Sequence, residues 1–97
     1  IIILGGTSVR VFGGAGNETI LWNGGTGMIR AGTGDDQIEG STGSRMVAFG
    51  EDGNDVVFAT RENDKVFGGL GDDTLAGYDG SDQLDGGAGD DAMDGGE

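Results

Sequence analysis

The sequence predicts an all-β fold, a solenoid of short parallel strands that closes one coil every 18 residues. Three observations carry this. An apolar residue recurs every nine positions along nearly the whole chain, the segments between are glycine-rich, and the 97 residues include 24 Gly and no Pro. Composition without the period would suit a disordered linker, because a chain that is 34% hydrophobic with net charge −13 has little to bury. A linker has no reason to hold apolar residues in phase.

Cut in nines from Leu4, the chain reads LGGTSVRVF, GGAGNETIL, WNGGTGMIR, AGTGDDQIE and GSTGSRMVA. Phe49 then stands outside the frame as a single insertion, and the frames resume as GEDGNDVVF, ATRENDKVF, GGLGDDTLA, GYDGSDQLD and GGAGDDAMD, with GGE left over. The eighth position reads Ile2, Val11, Ile20, Ile29, Ile38, Val47, Val57, Val66, Leu75, Leu84 and Met93, apolar throughout. The fourth is Gly in eight of ten frames and the sixth is Asp in six, including the last five.

Each frame is expected to give one strand and one turn. Positions 7–9 form the strand, with the middle residue facing one way and its flanks the other. Positions 1–6 reverse the chain, and Gly there tolerates positive φ. Two frames make a coil, and stacked coils build two parallel sheets whose eighth-position side chains meet in a thin core. No coil buries its own apolar face, so stability belongs to neighbouring coils.

Charge and missing residue types exclude most chemistry. With no Cys and no His, disulfides, thiolate or imidazole metal ligands and Ser-His or Cys-His catalysis are ruled out. The net charge argues against nucleic acid as a partner, and no apolar run reaches the roughly 20 residues of a transmembrane segment. Residues 1–48 carry net −1 and residues 49–97 net −12, so a neutralising partner acts on the second half, and a metal cation is the natural candidate. Trp22 and Tyr78 fall at turn positions and are expected to be inert exposed aromatics.

GGAGNETIL, GGLGDDTLA and GGAGDDAMD resemble G-G-x-G-x-D-x-U-x, the repeat of the RTX (repeats-in-toxin, haemolysin-type) calcium-binding family. The resemblance implies a parallel β-roll, a right-handed β-helix-like solenoid, with Ca²⁺ held between the turns of successive coils. It also implies a protein of a Gram-negative bacterium, exported by a type I system, that folds outside the cell. A stalk of a calcium-stiffened surface adhesin and an appendage of a secreted protease, lipase or epimerase remain open, as does toxin membership. The module itself is expected not to be an enzyme, and close pairs such as Asp72/Asp73 follow from the repeat rather than from a glycosidase site.

Calcium takes six to eight oxygens, which Asp side chains and Gly carbonyls can supply. Frame n stacks on frame n+2, so the sixth-position pairs Asp36/Asp55, Asp55/Asp73, Asp73/Asp91 and Asp64/Asp82 are the expected sites, about four ions. Gly34, Gly53, Gly71 and Gly89 are the candidate carbonyl donors. Glu18 stands at the same position with a longer side chain, and further ions there or at the C-terminal end are left open. Opposite, Val9, Gly27 and Arg45 precede Asp64, so Arg45 is expected either to face Asp64 as an ion pair or to lie solvated on a degenerate turn. Glu62 replaces the fourth-position Gly of the Asp64 turn. The chain is thus read as one module: degenerate repeats over 1–48, an insertion at 49, regular repeats over 50–97. The apolar run Ile1–Leu4 and the unfinished final frame lead us to expect adjoining repeats or domains of a longer protein.

Overall fold

Alternating strands land on opposite sides of a thin slab, as a nine-residue unit of strand plus half-turn requires. The computed structural model describes residues 2–4, 8–22, 26–40 and 45–95, with side chains over 10–22, 28–40 and 45–95. Expectations resting on Ile1, on the side chains of Val9 and Gly27, and on Gly96–Glu97 lie outside the described residues. One sheet holds β1 (Ile2–Leu4), β3 (Thr19–Trp22), β5 (Gln37–Gly40), β7 (Val56–Phe58), β9 (Thr74–Ala76) and β11 (Ala92–Asp94), in that spatial order. The other holds β2 (Ser8–Phe12), β4 (Thr26–Arg30), β6 (Val47–Phe49), β8 (Lys65–Phe67) and β10 (Gln83–Asp85). Every pairing is parallel, and no helix occurs among the described residues. The expected all-β solenoid is therefore the fold. Its extents of 30 × 29 × 14 Å leave room for a single layer of side chains between the sheets.

That layer is the eighth position. Val11, Ile20, Ile29, Ile38, Val57, Val66 and Leu75 are buried, in register across the sheets as Ile20, Ile38, Val57, Leu75 and as Val11, Ile29, Ala48, Val66. Leu84 is only partly buried and Met93 is 53% exposed, so the core thins towards the last strand.

The frame is corrected around the insertion. Ala48, not Val47, occupies the core between Ile29 and Val66, and Phe49 is an ordinary strand residue paired with Arg30 and Phe67. Partners are 18 residues apart at Trp22↔Gly40 and Val47↔Lys65 but 19 apart at Met28↔Val47 and Gln37↔Val56. The extra residue therefore lies between Gly40 and Met46, in the connection from β5 to β6. The reason is geometric: an extra residue inside a strand would flip every following side chain to the wrong face, whereas a turn absorbs it. The shifted frame also buries Met46 and sets Phe49 on the outer face. There it stacks on Phe67 at 5.0 Å between centroids, with the Arg30 guanidinium 5.8 Å from its ring.

Trp22 is a second correction. It ends β3 and is 1% exposed, filling the core margin where the next coil places Gly40. Tyr78 is exposed as expected, 6.3 Å from the Phe58 ring.

The corrected frame can be checked by substitution. Ala48→Lys would bury a charge between Ile29 and Val66 and should abolish the cooperative unfolding transition. Val47→Lys, in the outward column that already holds Lys65 and Gln83, should change stability by no more than about 1 kcal/mol in denaturant titration. The reverse ranking would restore the original frame.

Candidate metal centre

The turns repeat one backbone device. In the turns at 13–18, 31–36, 68–73 and 86–91, glycines at the second and fourth positions have positive φ, from 78° to 97° and from 103° to 107° respectively. Glu51 (φ 73) with Gly53 and Tyr78 (φ 62) with Gly80 repeat it at 50–55 and 77–82. Such alternation tilts successive peptide groups to opposite sides. At the fourth position the coils also touch: a Cβ on Gly71 would run into the Gly53 carbonyl oxygen, and one on Gly89 into that of Gly71. The same holds for Gly53 over Gly34. The candidate carbonyls thus lie in the gaps between coils.

The sixth-position carboxylates line the inner side of these gaps. Asp36 accepts the Glu18 N–H through Oδ1 at 2.7 Å, Asp55 accepts that of Asp36 at 2.8 Å, Asp73 that of Asp55 at 2.8 Å and Asp91 that of Asp73 at 2.8 Å. On the opposite edge Asp82 accepts the Asp64 N–H at 2.8 Å, and Asp64 accepts the Met46 N–H at 2.7 Å. The structure therefore brings together Asp36, Asp55, Asp73 and Asp91 as one column, with half-buried Glu18 at its head through its backbone.

Arg45 does not face Asp64. Because the insertion precedes it, Met46 takes the sixth position, and Arg45 is exposed. Of the two readings of Arg45, the solvated one matches the structure.

The second oxygens decide what the column can do. Asp36, Asp55 and Asp73 are at most 2% exposed, and their Oδ2 atoms, with that of Asp82, are buried without any hydrogen-bond partner. Glycine at the first position makes space for them: a Cβ on Gly50 or Gly68 would come within 2.5 Å of Asp55 or Asp73 Oδ2. Leaving a carboxylate oxygen buried and unpaired costs several kcal/mol, of order 1–3 or more per group. Burial raises the pKa of Asp55 from 3.8 to about 7, with the charges of Asp36 and Asp73 adding to it. Desolvation raises Asp36, Asp64 and Asp73 as well. A hard cation would remove both penalties. Among the described residues no three acidic side chains converge on one point, so such a cation must take much of its shell from backbone carbonyls, as calcium does.

A family model for the RTX calcium-binding nonapeptide repeat, in four copies, matches residues 23–44, 49–84 and 67–97. The chain belongs to this family. It is a calcium-binding repeat module, and the orphaned oxygens and stacked carbonyls are a donor set that fits the ion. No curated protein and no solved structure matches the chain. Among the described residues no helix is long and apolar enough to cross a membrane.

One functional feature of the RTX turns escaped the sequence reading. A second ladder runs on the outside at the fifth position: Asn17 Oδ1 accepts the Asp35 N–H, Asp35 that of Asn54, Asn54 that of Asp72 and Asp72 that of Asp90, all at 2.8 Å. Asn63 does the same for Ser81. The recurrence of Asn or Asp at Asn17, Asp35, Asn54, Asn63, Asp72 and Asp90 was the available signal.

Two outcomes follow from this geometry. An acid whose pKa is raised by folding favours the folded state when protonated. For Asp55 that contribution is full below about pH 4 and is lost as pH rises through about 7. The melting midpoint of the chelated protein should therefore fall between pH 4 and pH 7, and a rise over that window would contradict the assignment. Gly71→Ala combines φ +105 with the Gly53 carbonyl clash and should cost more than about 2 kcal/mol in calcium-saturated melts, whereas Gly14→Ala, with φ +89 but open space around it, should cost about 1 kcal/mol.

Proposed function

We propose that the chain is a structural, non-catalytic module that stays unfolded in a calcium-poor cytosol and folds on Ca²⁺ outside the cell. Its parent would be a secreted or surface protein of a Gram-negative bacterium, exported by a type I system. The observation that carries this reading is the buried, unpartnered Oδ2 of Asp36, Asp55 and Asp73 in a chain of net charge −13. Without the ion the fold pays for desolvated carboxylates; with it the same groups become ligands.

The ions would sit in the gaps Asp36/Asp55, Asp55/Asp73 and Asp73/Asp91, with the carbonyls of Gly34, Gly53, Gly71 and Gly89 as further donors. Three divalent ions would take the net charge from −13 to about −7 and relieve much of the self-repulsion in the second half. At extracellular-type affinities, Kd about 10⁻⁴–10⁻³ M, saturation at 100 Kd contributes about 2.7 kcal/mol per site. Three such sites exceed the margin by which a thin core of this kind could hold itself together.

Circular dichroism with millimolar calcium and with chelator tests the reading. Above pH 7, where Asp55 no longer gains from protonation, the β-signal and a cooperative melt are expected only with calcium; an identical spectrum and midpoint in chelator there would refute it. Asp55→Ala, which borders two gaps, should lower the calcium stoichiometry by two in titration calorimetry, and Asp91→Ala by one.

A further inference from the structure

Seven turns are described from first to sixth position, and one of them breaks the backbone device. At 59–64 neither the second nor the fourth residue has positive φ; the residues there are Thr60 and Glu62. Thr60 is 2% exposed and turned onto the carboxylate of its own turn. Its N–H donates to Asp64 Oδ2 at 2.9 Å, and its hydroxyl lies 2.8 Å from Oδ1 and 3.0 Å from Oδ2. The hydroxyl oxygen in turn accepts the Glu62 N–H at 3.1 Å. With the Met46 N–H also on Oδ1, both oxygens of Asp64 are satisfied within the protein. Asp36, Asp55, Asp73 and Asp82 all lack a partner for Oδ2.

The neighbouring gap is closed as well. Met46 stands where a sixth-position carboxylate would be, and its methyl and that of Thr60 converge on Gly40, where a Cβ would lie 2.6 and 2.7 Å from them. Gly40 is thus the space into which both groups pack. One wall of this turn is apolar and the other is a carboxylate with no free valence for a metal.

We propose that Thr60 is a built-in replacement for calcium at the Asp64 turn. Its amide and hydroxyl give Asp64 what the ion gives the other carboxylates, so this turn forms without metal and takes none up. No ion accordingly bridges Asp64 to Asp82, and of the carboxylates whose Oδ2 lacks a partner only Asp82 lies off the Asp36–Asp91 edge. The inference rests on the calcium reading above and deepens it by naming the residue that decides which turns bind.

The test restores the regular turn. The triple variant Ala59→Gly, Thr60→Gly, Glu62→Gly makes residues 59–64 read GGRGND, and titration calorimetry should find one more calcium than in the unsubstituted protein. An unchanged stoichiometry would overturn the proposal. A second measurement needs no substitution: crystals grown in calcium should show anomalous density along the Asp36–Asp91 edge and none within bonding reach of Asp64. Density at Asp64 would overturn the role of Thr60 while leaving calcium binding standing. A protein that takes up no calcium in either experiment would overturn the underlying reading instead.

Discussion

A carboxylate buried between two coils has two oxygens, and the backbone of the adjoining coil offers it one N–H. Much of the architecture follows from that mismatch. The donor comes from the sixth residue of the neighbouring coil, so the Asp must recur at the coil length, as it does from Asp55 to Asp73 to Asp91. Glycine must open each turn, because Gly50 and Gly68 lie where a side chain would displace the second oxygen. That oxygen then needs a partner the backbone does not supply. In the proposed reading a cation supplies that partner in most turns, and in one turn Thr60 does.

The core cannot make up the difference by itself. It is one residue thick, and its central positions are Ile38, Val57 and Leu75 in one sheet with Ala48 and Val66 in the other. A globular domain gathers apolar surface from several directions; here each coil buries its stripe only against the coils before and after it. Stability is therefore a property of the stack, and anything that weakens one interface is felt by the two coils that share it. Because the unpartnered carboxylate oxygens lie in the interfaces, rather than on an outer face, ions held there would tie metal occupancy directly to that nearest-neighbour term.

The repeat made the fold legible because period and burial coincide. A residue such as Ile20 or Leu75 is recognisable from its phase alone, and the sixth-position Asp column follows by counting two frames per coil. Counting failed where the count itself slipped. Val47 and Ala48 are both apolar, so the sequence around the insertion allows either to point inward, and Phe49 looked superfluous. The choice was made by contacts invisible in a linear reading: the Phe49–Phe67 stack, the burial of Met46 and the tolerance of the turn for an added residue. Trp22 was misplaced for a similar reason, since a turn position in the frame can still sit at the core margin. The role of Thr60 depends on a rotamer and a hydroxyl direction, which no spacing rule contains.

The two side-chain ladders run with opposite polarity on adjacent residues. At the fifth position the later coil donates its N–H to the earlier one, as Asp72 does to Asn54; at the sixth the earlier coil donates to the later, as Asp55 does to Asp73. If one coil slid along its neighbour by a residue, an inward carboxylate would meet an outward amide and both bonds would be lost together. The pair therefore works as a shear key. A stack built this way should resist lateral sliding under mechanical load more than the weak side-by-side pairing of three-residue strands would suggest, and its coils should part by peeling from an end.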